Sequence, residues 1–238
     1  QAEDGIRDRS PSRGLGDVYK RQVFEGNIMS IILHCFGESG NSYKAALTLE
    51  LANLTWKPEK VDFFNGATRT SDFKSINLMG EAPVMVDGEV ILTQSGAIQQ
   101  YVSDKSGKLS GPTEDKYEIL RWMFFDNHKM SSQAGNTRFM MNFLPEKHRN
   151  KEVIHFMQGR LNAAYGILNN ALEDKDWLVG ASITIADIAN CGYLFYPEPF
   201  GFERKKWVNI DRWLSNIEQT PGWKHPYDLM PGHPSDRH

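Results

Sequence analysis

Three short stretches in the first half of the 238-residue chain carry side chains suited to holding an anion or a thiolate. The first is Ser39-Gly40-Asn41-Ser42-Tyr43-Lys44, at the turn between a strand and a helix. The opening turn of a helix presents N–H groups without intrahelical acceptors and a partial positive charge, and both favour an anion. A serine hydroxyl there can donate to a bound thiolate; taken alone, Ser39 or Asn41 reads as a helix cap. The second stretch is Gly80-Glu81-Ala82-Pro83-Val84. Proline removes a ladder donor, so Pro83 belongs at the start of a strand. A cis bond there would turn the backbone of Ala82 toward a ligand, whose extended backbone could pair with it as an added strand. An ordinary trans proline at a sheet edge is the plainer alternative. The third is Gln94-Ser95, at the start of a later helix. Free amides and the Ser95 hydroxyl would receive a carboxylate and Gln94 an amino-acid head group, unless the pair is only a cap.

These stretches need a scaffold, and the pattern around them supplies one. Ser30–Phe36 is apolar and β-branched, a buried strand. From Asn41 or Ser42 to Leu54 the spacing is helical, with Ala45, Leu49 and Ala52 on one face. Thr55–Phe64 reads as a second strand and Thr70–Ile76 as a short helix. Ala82–Val86 and Glu89–Thr93 flank Asp87-Gly88, a hairpin signal. A helix capped by Ser95 follows and stops at Gly107. Strand, helix, strand, helix, hairpin, helix gives a mixed four-stranded sheet with helices packed on it. Leu109–Lys116 has the composition of a linker, and the chain beyond it is helical. Tyr117–Met130 is an aromatic-rich helix. Val153, Met157, Leu161, Ala164 and Leu168 form one apolar stripe, and Ile210, Trp213, Leu214 and Ile217 another.

In this order the stretches resemble the glutathione site of the soluble glutathione transferase family. Ser39 and Ser42 match the Ser-x-x-Ser pattern of its serine-type classes, including bacterial ones. Asn77-Leu-Met-Gly-Glu-Ala-Pro-Val84 and Gln94-Ser95 match the two later parts of that site. Gly180-Ala-Ser-Ile-Thr184-Ile-Ala-Asp187 resembles the family's structural capping motif, in which Thr184 caps a helix while Asp187 reaches back. Asn209–Leu214 with Pro221-Gly-Trp223 resembles its late helix and stop. The resemblance implies α/β plus all-α architecture: a thioredoxin-like glutathione-binding domain over 29–107, a linker over 108–116 and an all-helical domain over 117–238. It implies that Ser39 activates the glutathione sulfur, that Ala82 before a cis Pro83 binds the cysteinyl backbone, and that Gln94 and Ser95 hold the γ-glutamyl end. Asn41 is a second candidate for the thiolate contact. The expected activity is transfer of glutathione, a co-substrate, to a small hydrophobic electrophile, with no metal and in a homodimer. Two alternatives are a glutathione-dependent disulfide reductase or peroxidase on the same site, and a non-catalytic binding module.

Composition narrows the field. The formal net charge of -3 lacks the basic excess that nucleic acid would demand. No apolar run nears the roughly 20 residues of a membrane-spanning helix. Two cysteines without a CxxC pattern exclude a dithiol motif and fit a reducing cytoplasm. Cys35 reads as a small buried residue of the first strand rather than a nucleophile. His148 and His155 carry no zinc spacing. Trp122, Phe125 and Lys129 share a helical face that either walls an electrophile site or belongs to the core. Residues 1–28 are polar, Gly- and Arg-rich and aperiodic, and the pattern changes at Met29. We read 1–28 as a foreign leader, or else a short natural disordered tail.

Overall fold

A computed structural model describes residues 30–237; the leader lies outside them. Strand β1 (Ile31–Cys35) alternates as its sequence requires, with Ile31, Leu33 and Cys35 buried. Helix α1 (Gly40–Leu51) crosses back and delivers β2 (Trp56–Lys60) parallel to β1, in the register Ile31 opposite Trp56. After the short helix α2 (Ser71–Ile76), β3 (Val84–Asp87) and β4 (Val90–Thr93) form an antiparallel hairpin, and α3 (Ser95–Ser106) ends on Gly107 in the left-handed conformation. The order is β2-β1-β3-β4, the expected mixed four-stranded sheet.

The second half is helical: α4 (Lys116–Phe125), α5 (Ser132–Asn142), α6 (Lys151–Ala171), α7 (Ile185–Cys191), α8 (Val208–Glu218) and the one-turn α9 (Pro226–Leu229). The apolar core runs without a break from β1 and α1 into α4, α7 and α8. Ile210, Trp213, Leu214 and Ile217 are all fully buried, each contributing about 1.5–3 kcal/mol by leaving water. In the other stripe Leu161, Ala164 and Leu168 are buried while Val153 is exposed, because the first turns of α6 project past the core.

Several boundaries differ from expectation, each for a local reason. Helix α1 starts at Gly40, capped by Ser39, and stops at Leu51, with Asn53 at φ 63. The hairpin loop is Gly88-Glu89, because Asp87 pairs with Val90. Gly88 takes φ 61, the positive value that the first loop position of a type II′ turn demands. Ser95 is the first residue of α3 and not its cap; Gln94 holds that position without a side-chain cap bond. The aromatic helix does not end at Met130. It passes through one π turn, Asp126–Ser131, and continues as α5. The π turn brings Asp126 inward against Lys44 of α1 in a buried ion pair, with the Ser131 hydroxyl donating to the same carboxylate at 2.7 Å.

Candidate functional site

The sheet register places the three stretches together. His34, one residue from the end of β1, stands opposite Val84, and Val84 stands opposite Thr93. The loop to Ser39, the Ala82-Pro83 entry to β3 and the Gln94-Ser95 exit from β4 therefore all leave the same end of the sheet. Neighbouring strands lie about 4.8 Å apart, so the row from β1 to β4 spans roughly 10 Å.

Ser39 is the N-cap of α1, extended at φ -91, and its Oγ accepts from the Ser42 N–H at 3.1 Å. It is 8% exposed. The cap uses a lone pair and leaves the hydroxyl proton without an acceptor among the described residues. Asn41, half-buried, is the second residue of the helix. The Ala82-Pro83 bond is cis, Pro83 is buried and Ala82 half-buried. Buried Asn77 shapes the approach: its Nδ2 donates to the Glu81 carbonyl at 2.6 Å, and its Oδ1 accepts from the Met79 N–H at 3.0 Å. Gly80 takes φ 65 with the Thr68 carbonyl 2.8 Å from where a Cβ would stand, so only glycine fits.

Gln94 adopts φ 66, sparsely populated for a residue with a side chain, and its Nε2 lies 3.3 Å from Glu81 Oε2. That contact ties the third stretch to the second. A cavity of about 300 Å³ opens beside Gln94 and Ser95 and is walled by Leu120, Met123 and Phe124 of α4. Ser39, Asn41, Ala82 and Pro83 do not line it. The structure thus gathers all three stretches at one end of the sheet, with this cavity on the Gln94-Ser95 flank.

Cys35 is fully buried, and burial, followed by the charge of Glu59, pushes its thiol up to about 12. A thiol at that value stays protonated near neutrality and serves neither as nucleophile nor as thiolate. Trp122 is core, with Phe125 edge-on at 5.2 Å. Among the described residues no group of three His, Cys, Asp or Glu side chains gathers in a way that could hold a metal ion. The capping motif forms in full: Thr184 Oγ1 accepts from the Ala186 N–H at 3.2 Å, and Asp187 Oδ2 accepts from the Thr184 N–H at 2.9 Å.

One part of the site escaped the sequence. The backbone just before Ser39 bonds to Arg138, Tyr196 and Pro231, all from the helical half. No periodicity or motif links residues so distant in the chain; Gly37 and Gly232 are the only local hint that backbones meet there.

Comparison with known proteins agrees with the geometry. The family model described as glutathione S-transferase, N-terminal domain, matches residues 29–104, and that for the C-terminal domain matches residues 129–221. Glutathione S-transferase D7 of Drosophila melanogaster is 29% identical over 78% of this chain and 81% of its own length. Disulfide-bond oxidoreductase YfcG of Escherichia coli is 31% identical over 65% of this chain and 74% of its own. A crystal structure of a glutathione transferase from Burkholderia graminis, with two glutathione molecules bound per subunit, superposes with a TM-score of 0.75 at 23% identity, covering 92% of this chain and 95% of that one.

Proposed function

The chain belongs to the glutathione S-transferase family of enzymes, and from that premise we propose that it holds the sulfur of glutathione as a thiolate at Ser39 for attack on a small hydrophobic electrophile. The observation that carries this reading is the row His34–Val84–Thr93, which brings a hydroxyl with a free proton, an open backbone edge and a helix start to one end of the sheet. An extended tripeptide is about 10 Å long at roughly 3.3 Å per residue, the width of that row. Its cysteinyl backbone lies along Ala82, its γ-glutamyl end meets Gln94 and Ser95, and its sulfur reaches Ser39, with Asn41 a second donor beside it.

A free cysteine thiol has a pKa of about 8.5, so little is ionised near neutrality. A hydrogen bond to a charged acceptor contributes about 1.5–3 kcal/mol, and about 1.4 kcal/mol corresponds to one pKa unit. Ser39 and the opening of α1 together thus lower the thiol by about one to two, which raises the ionised share near pH 7 from about 3% to between about a quarter and three quarters. Ser39 keeps its proton throughout. The sulfur lone pair forms the new carbon–sulfur bond while the leaving group departs with the electrons of the bond it loses.

A second reading rests on the 31% identity to the disulfide-bond oxidoreductase. In it the same thiolate attacks one sulfur of a disulfide and releases the other as a thiolate. Nothing in the Ser39 geometry differs between the two, so the electrophile decides.

A homodimer fits both readings. Tyr117 and Phe124, 71% and 70% exposed, stand on one face of α4 with Leu120, beside the Gln94 cavity. Among the described residues no helix is long and apolar enough to cross a membrane, and both thiols are free and buried, which suits a reducing cytoplasm.

Retention on immobilised glutathione, followed by a panel of aryl halides, disulfides and hydroperoxides with and without Ser39→Ala, tests the proposal. Specific retention with Ser39-dependent turnover of one class supports it; no retention, or turnover indifferent to Ser39→Ala, refutes it.

A further inference from the structure

The peptide unit that joins Glu38 to Ser39 is gripped from the opposite half of the molecule. Its carbonyl oxygen accepts a hydrogen bond from Arg138 Nη1 at 2.5 Å, and its N–H, that of Ser39, donates to the Phe36 carbonyl at 3.1 Å. The preceding residue is held as firmly: the Gly37 N–H donates to the Pro231 carbonyl at 2.7 Å, and the Gly37 carbonyl accepts from the Tyr196 hydroxyl at 2.6 Å.

Arg138 is itself buried and held on several sides. It is 2% exposed. Its Nη2 donates to Glu198 Oε2 at 2.6 Å and to the Tyr227 hydroxyl at 2.8 Å, its Nε donates to Glu198 Oε2 at 3.2 Å, and its guanidinium lies 4.0 Å from the centre of the Tyr196 ring. Tyr227 also donates to the other oxygen of Glu198. A planar fork clamped along one edge leaves Nη1 a single direction, toward Glu38. Because a peptide unit is rigid and planar, holding its oxygen on Arg138 and its N–H on Phe36 sets the plane from which Ser39 starts, and the Ser42 N–H then holds Oγ at the place that plane dictates.

We propose that Arg138, clamped by Glu198 and Tyr227, is a positioning residue that aims the Ser39 hydroxyl at the glutathione sulfur. This rests on the reading that Ser39 holds that thiolate. Arg138 acts through the peptide and touches neither sulfur nor electrophile. Displacing a contact group by about 1 Å is enough to cost up to about a hundredfold in rate, so an indirect grip of this kind has a measurable effect.

The test is a pH titration of the glutathione thiolate by ultraviolet difference absorbance on the full chain. The set is wild type, Arg138→Lys, Glu198→Gln, Ser39→Ala and the two double variants with Ser39→Ala. Lysine keeps a cation opposite Glu198 but cannot reach both partners. Glu198→Gln loosens the clamp without removing the arginine, which covers the case in which Arg138→Lys does not fold. In folded protein each single variant raises the apparent pKa of bound thiol by about one and lowers kcat about tenfold, while KM for glutathione changes by less than about twofold. On the Ser39→Ala background neither substitution adds anything. A wild-type thiol pKa in folded Arg138→Lys and Glu198→Gln, or effects that add to Ser39→Ala, overturns the positioning role and leaves the functional reading standing. A wild-type protein whose bound thiol titrates like free glutathione overturns both.

Discussion

Among the described residues three helices carry a hydroxyl cap on their first turn, and two of them, α1 and α7, put it to different uses. At α7, Thr184 and Asp187 close on each other: Thr184 Oγ1 accepts from Ala186 and donates to Asp187 Oδ2 at 3.0 Å. Asp187 Oδ1 collects the Leu178 N–H and the Trp213 Nε1–H, both at 2.9 Å, and the pair is wholly buried. At α1, Ser39 accepts from Ser42 in the same way, but the residue three positions on is a serine and offers its proton no carboxylate. The first cap is saturated and serves folding alone. The second leaves one donor unspent at the end of the sheet where the Ala82-Pro83 and Gln94-Ser95 stretches meet. The box at α7 is complete in itself; Thr70, which caps α2 without an acid at i+3, gives its proton to the Ala67 carbonyl at 2.8 Å, and Ser39 has neither acceptor.

The strongest way to break this contrast is Asp187→Ser, which gives α7 the residue pattern of α1. Four buried donors lose their acceptor, and unfolding in denaturant should show a loss of about 4 kcal/mol or more. Ser39→Ala should do the reverse. Its stability falls by only about 1 kcal/mol, the usual worth of a cap. Turnover falls about 10- to 100-fold, the equivalent of one charge-assisted hydrogen bond. If instead Ser39→Ala unfolds the protein and Asp187→Ser merely slows it, the two roles are reversed.

A smaller effect comes from pH. Burial raises the pKa of the Glu198 carboxyl, but the hydrogen bonds from Tyr227 and Arg138 outweigh it and hold the group below its ordinary value. A depressed carboxylate contributes stability above its unfolded value, and that contribution is lost as pH falls through its folded value. The clamp on the Ser39 loop should therefore loosen below about pH 4.3. Protection of the Gly37 amide against hydrogen exchange, relative to its intrinsic rate at each pH, should fall there, and Glu198→Gln should remove that pH dependence. The smallest effect is expected from Cys35→Ala: a thiol pushed up to about 12 takes no part in chemistry, so kcat should stay within about twofold of wild type.

What could be read from the sequence was local. The hairpin, the capping box at Thr184, the strand-leading Pro83 and the buried stripe of α8 each announce themselves within a dozen residues. The hairpin loop moved by one residue because Asp87 has its partner across the strand rather than in the turn. Ser95 lost its capping role because Gln94, at φ 66, takes the turn instead, and nothing in a glutamine advertises that conformation. The π turn that joins α4 to α5 depends on Lys44 finding Asp126, residues 82 apart. The grip on Glu38 depends on Arg138, 100 residues away. Contacts of that reach leave no period or spacing, and they are what couples the two halves at the site.

The pinch at Gly37 sets an order of events. A Cβ there would stand 2.0 Å from the Gly232 carbonyl, so the loop and the closing segment are moulded to each other. A ribosome releases Ser39 long before it releases Pro231. During synthesis the sheet and its serine can form early, yet the loop receives its last restraint only when the end of the helical half arrives, so a nascent chain stalled before that segment would carry every residue of the site and still lack its working shape.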